Sequence, residues 1–367
     1  MVEARQLWWA GLCLLGSAAC AGPPEVAADM IPVAKAITIY SAGGSVVSGV
    51  IDPDVLGARR LRLPATVTAI TLSQGDHSVK WFTVQAIEDS KKDVTRKLIG
   101  LPSLDARELK FSYELPDITW ALQLRAEITD SKSASLQLLA LVNVSASEPY
   151  ENCDVTLVLN NAVSVEKLSG STFKLGSFDL YPHRNITYNL GNKVTDYSFI
   201  REWNADAGKD EVHVLLQVKN PFSVDLNEIS SSVEANQIII ESGTISNQSA
   251  PGQVVSLPAG IDDTISTFRS VKITEATDKR QLPFNHRVSY DITNRSDQQK
   301  TFRLVTSRVM GNEHRSVYHY SEPPDATPEN TLVWILKLEP NSTRTLEYDF
   351  DADVKDVDGE NGFEQGG

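Results

Sequence analysis

The feature that most constrains the fold of this chain is an alternation of apolar and polar residues with a period of two. Val212, Val214, Leu216 and Val218 interleave with Glu211, His213, Gln217 and Lys219. Val288, Tyr290 and Ile292 do so with Arg287, Ser289 and Asp291, and Leu346, Tyr348 and Phe350 with Thr345, Glu347 and Asp349. Successive side chains of an extended strand point to opposite faces, so this pattern places one set on a core and the other in solvent, as in one-sided antiparallel sheets. Residues 136–144 and 332–338 are apolar on both parities, as expected of strands buried on both faces or lying at a domain junction. Helical periodicity is nearly absent, and only residues 91–98 suggest a turn or two of helix.

Turn-forming residues punctuate these segments at Gly43-Gly44, Asp52-Pro53, Leu101-Pro102, Gly191-Asn192, Asn220-Pro221 and Pro258-Ala259-Gly260. Many short strands at such spacing predict an all-β fold of antiparallel, immunoglobulin-like β-sandwiches with little helix. The chain has 367 residues, enough for two domains at roughly 100–200 residues each. The expected division is an N-terminal β-domain over residues 34–100, a charged linker around residues 90–107, a larger β-sandwich over residues 108–352, and a disordered acidic, glycine-rich tail over residues 353–367.

The first residues point to a compartment. A short polar start with Arg5, an apolar run from Leu7 to Leu15 and small residues thereafter read as a signal peptide over residues 1–21, followed by a flexible leader over residues 22–33. The apolar run is too short to span a bilayer, and no later segment is long enough, so no transmembrane helix is expected. Two cleavages stay open: an ordinary cut after Ala19 or Ala21, or a lipoprotein-type cut before Cys20 that would acylate it and tether the protein to a membrane. With Cys13 in the discarded run, Cys153 is left alone, and a small core residue without a disulfide is expected there.

A formal net charge of −14 without a basic stripe excludes nucleic acid as a natural partner, because the phosphate backbone would meet repulsion. Gly44-Ser45-Val46-Val47-Ser48-Gly49 does not fit the turn that exposes a serine nucleophile. His314 and His319 fall on opposite faces of a strand and match no zinc motif. Asp356, Asp358 and Gly359 imitate part of a calcium loop but lack its first and last ligands. No catalytic residue, cofactor or metal ligand is expected on these grounds, and a carboxylate pair for polymer hydrolysis has no local signature by which to find it. Sequons at Asn143, Asn185, Asn247, Asn294 and Asn341 would matter only in a eukaryotic secretory route. Among the strand-like tryptophans Trp81, Trp120, Trp203 and Trp334, Trp120 and Trp334 read as core anchors, and Trp203 as the one exposed for ligand contact, stacking on carbohydrate.

Two long stretches carry a family resemblance: FSYELPDITWALQLRAEI at 111–128 and LVNVSASEPYENCDVTLVLNNA at 141–162. Three later blocks continue it in order, VHVLLQVKNPFS, HRVSYDITNRSDQQKTFRLV and NTLVWILKLEPNSTRTLEYDF, and ITIYSAGGSVVSGVI with LRLPATVTAITL precede it. Together, over about residues 36–350, they resemble the domain of unknown function 4139 family, which forms the C-terminal half of mucoidy-inhibitor-A-like bacterial proteins. The coiled coil that many members carry between their two β-regions is missing, and VDLNEISSSVEANQ at 224–237 replaces the family's usual strand turn. The resemblance brings no catalytic residues. Together with the signal peptide, the strand content and the absence of catalytic motifs, it leads to the expectation of an exported, non-catalytic cell-envelope protein, periplasmic or anchored at the outer membrane of a Gram-negative bacterium or else secreted, that binds an envelope protein or a glycan. The alternatives are a hydrolase of an envelope polymer and a self-assembling envelope subunit.

Overall fold

The computed structural model describes residues 29–30, 32–41, 43–51, 60–75, 77–79, 82–89, 94–100, 108–159, 171–245, 249–274, 284–308, 318–328 and 330–352. Residues 1–21 with Cys20, Trp81, Asn247, His314 and the tail with Asp356, Asp358 and Gly359 lie outside them.

The protein is all-β, and among the described residues it has no helix. The first strands are β1 (Asp29–Met30), β2 (Ala34–Tyr40), β3 (Ser45–Ile51), β4 (Arg60–Pro64), β5 (Thr68–Gln74), β6 (His77–Ser78), β7 (Thr83–Asp89) and β8 (Val94–Gly100). Next come β9 (Leu109–Leu115), β10 (Ile118–Ile128), β11 (Ser133–Val144), β12 (Tyr150–Leu159), β13 (Ser171–Leu180), β14 (Arg184–Asn204), β15 (His213–Lys219), β16 (Ser230–Ala235) and β17 (Ile238–Thr244). The last are β18 (Val254–Ile261), β19 (Ile265–Thr274), β20 (Phe284–Asn294), β21 (Lys300–Ser307), β22 (Tyr318–Tyr320), β23 (Thr331–Leu338) and β24 (Ser342–Ala352).

These strands form four sheets: β1-β4-β8-β7; β13-β12-β2-β3-β9-β5-β6; β19-β20-β24-β22; and a nine-stranded sheet ordered β17-β16-β10-β11-β14-β15-β18, with β21 and β23 continuing from β14. Most ladders are antiparallel, but β1–β4, β2–β12, β10–β16 and β14–β21 pair in parallel. The long β14 joins the two halves of the molecule. Its first part, to Asp196, pairs with β11, while Tyr197–Glu202 pair with β15 and Arg201–Asn204 with β21.

Two hydrophobic cores result. One is built from strands β2 to β18, with Ile37, Val47, Leu109, Leu124, Leu138, Leu157, Leu216 and Leu257 inside. The other fills the space between β14, β21 and β23 on one side and β19, β20 and β24 on the other, around Trp203, Tyr290, Phe302, Trp334 and Tyr348. The rings there stack edge-on and face-on, with centroids 5.8 Å apart for Trp203–Tyr290 and 6.1 Å for Trp334–Tyr348.

Several sequence expectations change. The break expected between residues 100 and 108 does not separate two cores, because β2 pairs with β12 and β3 with β9 across it. Within the leader, Asp29 and Met30 add a short strand beside Arg60 and Leu61. The helix suggested over residues 91–98 is overridden where β8 pairs with both β4 and β7. Gly191-Asn192 lies inside β14, where the register shifts opposite Leu138 and Leu139, so its turn chemistry serves a bulge. Pro258-Ala259-Gly260 lies inside β18, an edge strand that tolerates a proline without a ladder donor. Gly43-Gly44 does turn the chain, with φ of 107° and 78° that a side chain would oppose.

Candidate functional site: the outer face of the nine-stranded sheet

On β10 and β11 the core-facing parity carries Leu122, Leu124 and Ala126 opposite Leu136, Leu138 and Ala140. The opposite parity faces away from that core, and the register fixes what lies side by side on it. Thr119 pairs with Asn143 and Asn143 with Asn185; Ala121 with Leu141 and Leu141 with Thr187; Gln123 with Leu139 and Leu139 with Asn189. Arg125, Gln137 and Asn192 make the fourth row, and Glu127, Ser135 and Val194 the fifth. β16 extends the last rows with Ser230, Ser232 and Glu234.

The surface is open to water over the first rows and along β14, whereas Leu139, Ser232 and Glu234 are buried. Ala121, on a central strand, is exposed, as are Asn143, Asn185, Thr187, Asn189 and Asn192. At about 4.8 Å between strands and about 3.4 Å per residue, the face measures roughly 27 Å along β10 and 10–15 Å across. Its amides order one another. Asn143 Nδ2 donates to Asn185 Oδ1 at 2.8 Å, and Asn189 Nδ2 to Asn192 Oδ1 at 2.7 Å. The Gly191 amide donates to Asn189 Oδ1 at 2.9 Å, which ties the row to the β14 bulge. A carboxamide offers two donors and an acceptor oxygen with two lone pairs, so one such bond leaves most of each group's capacity directed outward. The charges sit toward the β16 side, where the buried Glu234 carboxylate is paired with Arg125.

Beyond this row lies a sheet edge. β16 and β17 join through Asn236-Gln237, whose φ of 51° and 66° make the two-residue turn that matches strand twist. β17 ends the sheet, and its Ile238, Ile239 and Ile240 are 69%, 59% and 45% exposed.

The residues singled out from the sequence fall elsewhere. Trp203 is 1% exposed, packs on Tyr290, and donates its indole N–H to the Lys209 carbonyl at 3.1 Å. The expectation of an exposed, ligand-stacking Trp203 is therefore corrected, because the ring turns inward against β20 while its polar neighbours Glu202 and Asn204 take the other parity of the same strand. Trp120 and Trp334 are core anchors, as expected. Cys153 is fully buried, and burial pushes its thiol up. Asn294 is buried with its amide donating to the carbonyls of Gln298, Leu338 and Glu339, so it is a structural residue rather than an acceptor for sugar. His319 is exposed.

Pockets also occur among the described residues. One of about 240 Å³ is lined by Pro32, Arg62, Tyr113, Glu148 and Tyr150, where burial pushes the Tyr113 phenol up to about 12 and Tyr150 higher still. Both phenols stay protonated at neutral pH. The other, about 550 Å³, opens beside Tyr40, Gly44, Thr68 and Glu114. Among the described residues no cluster of His, Cys, Asp and Glu could hold a metal ion, and no helix is long and apolar enough to cross a membrane. The amide-bearing face was missed in the sequence because Gln123, Gln137, Asn143, Asn185 and Asn189 become neighbours only through register. Their one local signal is carboxamides recurring on the polar parity of successive strands.

No protein-family model matches the chain, and no curated protein matches it.

Proposed function

We propose that this chain is an exported, non-catalytic protein of a Gram-negative cell envelope that binds a partner through the solvent-facing surfaces of its β-sandwiches. The observation that carries this reading is the exposed, internally ordered amide and hydroxyl face of β10, β11 and β14. A rigid sheet holds such groups in place at little entropic cost on binding. The leader over residues 1–21 and the resemblance to the domain of unknown function 4139 family support the compartment.

The test is intact mass and fractionation of the protein expressed in a Gram-negative host, beside a Cys20→Ala variant. Recovery of a processed chain in the periplasm or on the outer membrane supports the proposal; a full-length chain in the cytoplasm refutes it. Acylation and membrane recovery lost in the variant would further place the anchor at Cys20.

The exposed isoleucines at the β17 edge favour a second reading, self-assembly of this chain through that edge. A mass that rises with concentration for the native protein but not for Ile239→Lys supports it, and a constant monomer mass overturns it.

A further inference from the structure

We infer that the outer face of β10, β11 and β14 takes an uncharged glycan chain, an assignment that rests on the binding-module reading and gives its ligand class. Three features of the face select this occupant.

The first is charge. The chain carries a formal net charge of −14, yet the rows from Thr119 to Gln123 with their partners on β11 and β14 hold no ionisable side chain. Solvated sheet faces in soluble proteins usually carry interspersed Lys, Arg, Glu and Asp, which supply solubility and discourage misassociation. This one substitutes carboxamides at Gln123, Asn143, Asn185 and Asn189. A polyanion gains no counter-charge here and would approach a molecule of the same sign. A neutral polyhydroxylated chain loses nothing by that.

The second is hydrogen-bond character. A sugar hydroxyl both donates and accepts, and so does a carboxamide, whereas Lys and Arg only donate and ionised Asp and Glu only accept. A field of amides with Thr119 and Thr187 therefore matches a ligand whose every edge is bifunctional. The Asn143–Asn185 and Asn189–Asn192 bonds fix the rotamers beforehand.

The third is shape. The two strand spacings from β10 to β14 span about 9.6 Å across the sheet, on the scale of one disaccharide. Between the amide rows lie Ala121 and Leu141, a small apolar strip for the C–H face of a pyranose. No part of this depends on Trp203, which is buried in the other core.

The test is calorimetric titration of the full chain with chitohexaose, cellohexaose and maltohexaose, with hexagalacturonate as the anionic control. It is repeated for Ala121→Arg and Thr187→Lys, both exposed positions whose side chains make no internal hydrogen bond or ion pair to lose. Binding of at least one neutral hexaose but not of hexagalacturonate, weakened tenfold or more in a variant that keeps the native circular dichroism, supports the assignment. Absence of binding to all three neutral probes, or equal binding by both folded variants, overturns it.

Retention on isolated Gram-negative envelopes separates the two levels. Retention abolished by periodate supports the glycan. Retention that survives periodate but not protease overturns the glycan and leaves the binding-module reading standing. No retention at all overturns both.

Discussion

Asp262 offers the sharpest test of how the two cores are joined. It follows β18 and is 9% exposed, while Lys300, which opens β21, is 7% exposed. The carboxylate accepts from Lys300 Nζ at 2.9 and 2.7 Å, from Arg201 Nε at 3.2 Å, and from the Thr264 amide and hydroxyl at 3.1 and 2.6 Å. Arg201 comes from β14 and also lies over the Phe199 ring, 5.9 Å from its centroid.

Replacing Asp262 by Asn keeps the shape but leaves the Lys300 ammonium without its closest counter-charge. Removing one partner of a buried pair costs about 3–5 kcal/mol, and that is the loss expected at pH 7. Part of it is proton-linked. Burial alone would push the Asp262 carboxyl up, but the bonds from Lys300, Thr264 and Arg201 outweigh it and hold the group at about 2 rather than 3.8. Arg201 keeps 21% of its side chain in solvent, so screening reduces the linked part to about 1–2 kcal/mol. Because the folded pKa is depressed, that contribution is complete above 3.8 and disappears as pH falls through about 2.

The assay is urea unfolding followed by tryptophan fluorescence, in which Trp203 and Trp334 report the second core. The native protein should exceed Asp262→Asn by about 3–5 kcal/mol at pH 7, and the gap should narrow by about 1–2 kcal/mol between pH 4 and pH 2. A gap below about 1 kcal/mol at neutral pH, or one that does not change with acid, would refute the reasoning.

Trp203→Ala should cost about 3–5 kcal/mol in the same assay, and leave the affinity of the folded fraction for any neutral hexaose unchanged, since the ring fills a core. Cys153 should resist a water-soluble thiol reagent at pH 8 in the native protein and react at once in urea, because burial both covers the thiol and pushes its pKa up. Asn294→Asp should lower stability by about 2–4 kcal/mol, because a carboxylate cannot donate to the carbonyls of Gln298, Leu338 and Glu339; calorimetric melting would show it. A Cβ on Gly49 would meet the Val33 carbonyl oxygen and the Phe111 ring at 2.7 Å, so Gly49→Ala should cost about 1–3 kcal/mol in the same melt.

What the sequence disclosed and what it hid divide along one physical line. Alternation along a strand depends only on which side of that strand is buried, so Val288, Tyr290 and Ile292 could be assigned to a core before any pairing was known. Pairing depends on contacts between strands far apart in the chain, and nothing local specifies that β2 adds in parallel to β12 or that β16 does so to β10. The division at residue 100 fails for that reason, as does the helix over residues 91–98, which a weak local pattern suggested and a ladder on each side of β8 overrode. Trp203 misled because its neighbours Glu202, Asn204 and Asp206 are polar. In the fold they are partnered, Glu202 by Arg303 and Asp206 by Thr306 at 3.2 Å, and the ring beside them is the one that turns inward.

The same line accounts for where a binding surface arises in such a molecule. Core positions are chosen for volume and apolarity, so they resemble one another from strand to strand and carry little information about a ligand. Outer positions escape that constraint, and whatever recurs on them across adjacent strands must have some other cause. On β14 the cause is visible in a single segment: Asn185, Thr187 and Asn189 line the open face at one end, while Trp203 at the other end fills the second core and Arg201 grips Asp262. A glycan lying over the first end would therefore rest on a strand whose far end is clamped between two sheets. Loosening that clamp with Asp262→Asn should reach the amide rows only through whatever flexibility β14 gains at Asp196–Tyr197, where it leaves β11 for β15.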